Sequence, residues 1–170
     1  MNTPEPELTV KMDSLLTRIR TLAKVAYSFA ELEKAVVEAI AAELPRYNWT
    51  GFYWLDPHDP QTLVLGAFIG EPTPHVRIPV TQGICGAAVA SGETVVVDDV
   101  HADPRYLSCS IQTKSEIVVP ITAHGKVIGE IDIDSHSPAA FSNIDRIFLE
   151  EVAGIVGRFI ELRAPTARRD

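Results

Sequence analysis

Two cysteines in 170 residues are too few for a disulfide framework. Cys85 and Cys109 are therefore structural thiols, metal ligands or members of a redox pair. No apolar run approaches the roughly 20 residues of a membrane-spanning helix, so no membrane partner is expected. The opening Met1-Asn2-Thr3-Pro4-Glu5-Pro6-Glu7 also lacks the basic and apolar regions of a secretion signal, and a cytoplasmic setting is expected. Positive charge is in deficit as well. Fifteen Lys and Arg against 23 Asp and Glu leave a formal charge of −8, which opposes binding to a phosphate backbone or an anionic surface, so nucleic acid is not an expected partner. Glycine-rich phosphate loops, a nucleophile-elbow serine and a zinc-protease helix are all missing, and the chemistries that need them have no support.

What is present suits one domain: 46% apolar residues suffice for a single core at this length. We expect that domain over residues 1–162, with 1–7 as a flexible N-terminus and 163–170 as a frayed tail. Apolar residues recur at helical spacing between Leu8 and Leu44, in two stripes. Ser28-Phe29-Ala30-Glu31 has the spacing of a capping box, so a second helix starts there and ends before Pro45. Asn48 to Leu55 and Thr62 to Ile69 read as a hairpin about the turn residues Asp56 to Pro60. A small-residue helix from Gln82 to a Gly92 stop and a brief strand over Thr94 to Val97 follow, then a long polar loop from Asp98 to Thr113. Glu116 to Ala123 and Lys126 to Ser135 pair about His124-Gly125, and a last amphipathic helix runs from Asn143 to Leu162. The fold class is α+β: a central antiparallel sheet, terminal helices on one face, and loops that cover a ligand on the other.

Candidate chemistry gathers in four places. Glu130, Asp132 and Asp134 alternate with Ile131 and Ile133, so a strand puts all three carboxylates on one face. Like charges in a row destabilise a strand, which favours a functional role over a solvated face. Across the His124-Gly125 turn, Glu116 falls opposite Asp134 or nearby. Trp49 and Tyr53, four apart, share a face and either wall a pocket or pack a core. Cys109 sits in a loop with little apolar patterning and reads as a reactive thiol. Cys85, at a helix start, is either a thiol activated by the helix dipole or an inert packed one. A zinc centre from Cys85, Cys109, His101 and His75 lacks the paired spacing of structural sites, so no metal and no cofactor is expected. His58, His124 and His136 read as turn residues.

Several segments taken together resemble the free methionine-(R)-sulfoxide reductases, stand-alone GAF-domain enzymes. They are Asn48-Trp49-Thr50-Gly51-Phe52-Tyr53, Val76-Arg77-Ile78-Pro79-Val80, Gly83-Ile84-Cys85-Gly86-Ala87-Ala88-Val89-Ala90, Asp99-Val100-His101, Cys109, Ser115-Glu116-Ile117-Val118-Val119-Pro120 and Asp132-Ile133-Asp134-Ser135. The resemblance implies a GAF-like fold, and Cys109 as a nucleophile that ends as a sulfenic acid. Glu116 and Asp134 would polarise the substrate, and Asp132 would help to hold it. Trp49 and Tyr53 would line the methyl pocket, and Cys85 would resolve the sulfenic acid. It implies free methionine sulfoxide as substrate and thioredoxin or a similar dithiol as reductant, and leaves a homodimer open. Many family members carry a further cysteine directly before Val-Arg-Ile-Pro, where this chain has His75. Recycling therefore runs through Cys85 or directly through an external thiol. The competing expectation is a GAF domain that senses a small molecule without changing it.

Overall fold

The computed structural model describes residues 5–163. Helices α1 (Glu5–Val25) and α2 (Phe29–Glu43) lead into strands β1 (Trp49–Asp56), β2 (Asp59–Ile69) and β3 (Arg77–Pro79). Helix α3 (Gly83–Ser91), strands β4 (Val95–Val97), β5 (Ser115–Ala123) and β6 (Lys126–Ser135), and helix α4 (Asn143–Arg163) complete the order. The six strands form one antiparallel sheet, β3-β2-β1-β6-β5-β4. This is the expected α+β arrangement.

Local chemistry sets the element ends. Ser28 Oγ accepts the Glu31 N–H at 3.2 Å, and Glu31 reaches back to the Tyr27 N–H at 2.9 Å, one residue before the position an ideal capping box uses. Gly92, with φ 68°, stops α3 in the left-handed conformation that glycine adopts without strain. Three boundaries differ from expectation. Glu5 to Glu7 are not a flexible leader but the first turn of α1, where their carboxylates face the positive helix end. Arg163 closes α4 rather than opening a tail. Asp59 and Pro60 already belong to β2, because the turn contracts to Pro57-His58 when Asp56 accepts the His58 N–H at 2.9 Å. Residues 1–4 and 164–170, the remainder of the expected leader and tail, lie outside the described residues. Strand β3, a three-residue edge, was too short to show in the sequence pattern.

His124 and Gly125, both at positive φ, make the two-residue turn that locks β5 to β6. That turn sets the register: Glu116 stands opposite Asp134, as the pairing argument required. The two-residue period then divides the sheet. Ile131 and Ile133 join Phe52, Ile117, Val119 and Ile121 in a core covered by α1, α2 and α4. Trp49, Tyr53 and Val118 face the other way, under Ile84, Cys85 and Ala88 of α3 and the loop after β4. The acidic side of β6 lies in this second layer.

Candidate active site

Each carboxylate on β6 has two cross-strand neighbours. Glu130 lies between Tyr53 and Pro120, Asp132 between Gly51 and Val118, and Asp134 between Trp49 and Glu116. Glu116, Glu130, Asp132 and Asp134 are only 5%, 0%, 2% and 3% exposed, which rules out a solvated face. Among the described residues none of the four has an ion-pair partner. Both Glu130 oxygens and Asp132 Oδ1 also lack any hydrogen-bond partner.

Crowded acids without a counter-charge keep their protons. Burial, reinforced by the neighbouring Asp132, raises the carboxyls of Glu116 and Asp134 well above their usual range, and burial does the same to Glu130. Asp132 is pushed up to about 7, again by burial, with Cys85 and Glu116 hydrogen bonds opposing the rise. One member thus titrates near neutrality while its neighbours stay protonated. The recess can both attract a cation and donate a proton.

Cys85, third residue of α3, points its thiol at this recess, with Sγ 3.6 Å from Asp132 Oδ2. Burial and then the Asp132 charge drive its pKa up, so the helix dipole does not make it a thiolate. Of the two readings open for Cys85, activation at a helix start is overturned, because desolvation beside acids outweighs a partial charge at the end of one helix.

Cys109 is half-buried rather than open on its loop. Its Sγ contacts the Leu107 carbonyl at 3.5 Å, and burial together with Asp132 and Asp134 raises its pKa too. The loop is tied to its surroundings on several sides. His75 Nε2 meets the Ser108 carbonyl at 2.9 Å, Ser110 donates to Glu71 at 3.3 Å, and Trp49 Nε1 donates to the Glu71 carbonyl at 3.1 Å. Beneath this clasp is a cavity of about 20 Å³ bordered by Trp49, Thr73, Cys109, Thr113, Asp134 and His136. Cys109 and Asp134, 25 residues apart in sequence, face the same small space.

Trp49 and Tyr53 stack with ring centroids 6.2 Å apart. Trp49 borders the cavity, whereas Tyr53 does not line it and reaches it only through its stack on Trp49, its hydroxyl donating to the His75 carbonyl at 2.8 Å. The Trp49 ring lies over Gly51, where a Cβ would collide with it and approach Phe68 Cβ to 2.9 Å. The quartet Cys85, Cys109, His101 and His75 is not gathered into one ligand set among the described residues. His136, read as a turn residue, instead lines the cavity with Thr73 and Thr113. No sequence signal marked these three, since each becomes part of a wall only when separate loops meet.

The profile of the GAF domain family matches residues 14–160. Protein YtsP of Bacillus subtilis is 44% identical over 110 residues, 65% of this chain and 66% of that protein. The free methionine-R-sulfoxide reductase of Saccharomyces cerevisiae is 40% identical over 112 residues, 65% of this chain and 62% of the yeast protein. The chain thus covers slightly less than two thirds of the length of these curated relatives. Among solved structures, the free methionine-R-sulfoxide reductase of Neisseria meningitidis in complex with its substrate superposes with a TM-score of 0.87. That match is at 32% identity and covers 95% of this chain and 93% of the other. A family profile spanning most of the chain, together with a near-complete structural match at this identity, shows that the chain belongs to the GAF domain family and, within it, to the free methionine-R-sulfoxide reductases.

Proposed function

We propose that this chain is an oxidoreductase that reduces free L-methionine-(R)-sulfoxide to methionine, with Cys109 as nucleophile. The observation that carries the reading is Cys109 and Asp134 facing one cavity beside Trp49, over a buried acidic recess without a basic partner. A small zwitterion completes such a recess. Its ammonium supplies the missing positive charge to Asp132 and its neighbours, and its methyl group packs on Trp49, with Tyr53 as backing. The cavity holds about one water, so the clasp of the two loops opens to admit substrate.

The reaction follows from the charges. With an ammonium among the acids, the repulsion that raises the Cys109 pKa is relieved, and a thiolate becomes accessible. Its sulfur attacks the sulfoxide sulfur while a protonated carboxyl, Glu116 or Asp134, gives its proton to the sulfoxide oxygen. The hydroxyl then migrates to the Cys109 sulfur: its bond to the substrate sulfur and the new sulfur–sulfur bond both break, the substrate sulfur keeps the electron pair, and the sulfenic acid on Cys109 and free methionine separate. The Cys85 thiol then attacks the sulfenic sulfur, water departs, and thioredoxin or a similar dithiol reduces the disulfide. That bond requires the two Cα atoms to come within about 7 Å. It also requires Cys85 to leave its buried contact with Asp132.

The test is methionine release from free L-methionine-(R)-sulfoxide in the presence of a dithiol reductant. Cys109→Ser abolishes release, whereas oxidised peptides are poor substrates for the wild type because a chain cannot pass the clasp. A wild type that binds the sulfoxide without releasing methionine refutes the proposal in favour of a ligand-sensing GAF domain.

A further inference from the structure

The reaction proposed above makes no use of Glu130, a fully buried carboxylate whose two oxygens have no hydrogen-bond partner. Nor does it explain why a cysteine is placed among acids. Cys85 Sγ and one carboxylate oxygen each from Glu116 and Asp132 all lie within 4.8 Å of one another, and all three residues are buried. This set differs from the histidine-containing quartet that sequence spacing argued against, and it comes from three separate elements, α3, β5 and β6.

Its dimensions are those of a metal site. With Zn–S near 2.3 Å and Zn–O near 2.0 Å, a tetrahedral S···O edge measures about 3.5 Å. The Cys85 Sγ to Asp132 Oδ2 separation is 3.6 Å. The triad's atoms lie within 4.8 Å of one another, so its longest edge needs to contract by up to about 1.3 Å to reach the same figure. Asp132 Oδ1, also without a partner, offers a second oxygen, and Glu130, whose buried carboxyl keeps its proton, can donate a hydrogen bond toward the Cys85 thiolate. A thiolate with carboxylates and no imidazole suits a borderline-soft divalent ion better than magnesium or calcium, which take oxygen ligands alone.

We propose that Cys85, Glu116 and Asp132 bind a single thiophilic divalent cation, zinc, with the Glu130 carboxyl as a supporting hydrogen-bond donor to the thiolate, and that the ion closes the acidic recess to substrate. Binding displaces the Cys85 proton to solvent and leaves the thiol unable to react. The binding stands independently of the proposed reduction; only the inhibition rests on that reading.

Cadmium reports the thiolate directly through its sulfur-to-metal charge-transfer absorbance. Titration of the reduced full chain with Cd²⁺ is expected to saturate at one ion per chain. The band persists in Cys109→Ser and disappears in Cys85→Ser. Glu130→Leu, which removes the donor, weakens zinc binding, measured by competition against a chromophoric chelator, by roughly the 10–100-fold that loss of a supporting partner brings. Zinc inhibits methionine release competitively with the sulfoxide. A band that survives Cys85→Ser but is lost in Cys109→Ser overturns the assignment, as does the absence of any band in the wild type. If the ion binds as expected and the wild type releases no methionine, the metal site stands and the proposed reaction fails. Turnover without metal binding removes the metal site and leaves the reaction standing.

Discussion

Replacing Asp132 by asparagine should stabilise the chain, and more so as pH rises. Asp132 titrates at about 7 in the folded chain against 3.8 for the free carboxyl. Between those values the folded state holds a proton that the unfolded state has released, so unfolding becomes easier with each added pH unit. The advantage of the protonated acid is complete below the unfolded pKa and gone once pH passes the folded one. Each unit corresponds to about 1.4 kcal/mol, so the two units from pH 5 to 7 remove about 3 kcal/mol, with nothing further from this group up to pH 8. In melting temperature that is roughly 6–12 °C for a chain of this size. Asparagine is isosteric and does not titrate. Without the Asp132 charge the neighbouring Glu116 and Asp134 also ionise more easily, which widens the difference in the same direction. The assay is urea unfolding of wild type and Asp132→Asn at pH 5 and pH 8. The double difference cancels the other titrating groups to first order. Parallel pH profiles, or a wild type that gains stability toward pH 8, would refute the picture of a buried acid without a counter-charge.

Two further outcomes follow from the site. Cys85→Ser should still release one methionine per chain in a single turnover but cycle slowly with thioredoxin; normal thioredoxin-coupled turnover would remove Cys85 from the mechanism. Gly51→Ala puts a methyl into the Trp49 ring, with an expected loss of about 1–3 kcal/mol in stability and up to about 100-fold in turnover from the displaced wall. Urea unfolding and sulfoxide turnover check the pair, and unchanged turnover would show that Trp49 does not shape the substrate pocket.

The parts of this site that were legible in the sequence are those governed by short-range rules. Glu130-Ile131-Asp132-Ile133-Asp134 shows its two faces because a strand alternates, and His124-Gly125 sets the Glu116 register because a two-residue turn permits little else. Trp49 and Tyr53 share a face for the same reason. What could not be read depends on distant segments meeting. The Cys85 thiol reaches Asp132 across 47 residues, from a helix whose own sequence says only that it is small and apolar. The direction of both thiol shifts reverses the helix-dipole and exposed-loop arguments, because those consider one element at a time and the acids come from β5 and β6. His136 looks like punctuation after a strand until the Glu71 and Cys109 loops close beside it.

The same electrostatics couple substrate binding to protons, and this gives the reading its most direct test in solution. An ammonium gains little from protonated carboxyls, so binding at low pH must first ionise the recess. Below the Asp132 pKa of about 7, uptake of a zwitterion should therefore release close to one proton, and affinity should fall by about tenfold per pH unit. Above that value the carboxylate is already charged and the dependence flattens, unless the bound ammonium also draws a proton from Asp134 or Glu116. Calorimetric titration of the Cys109→Ser chain with free methionine sulfoxide, in two buffers of different ionisation enthalpy, counts the released protons without interference from turnover. Near pH 6 the apparent binding enthalpy should differ between the buffers by their ionisation enthalpies multiplied by that proton number. Identical enthalpies at pH 6 would mean that the ammonium is held elsewhere, because no cation can enter a recess of protonated acids and gain a full ion pair while leaving every proton in place.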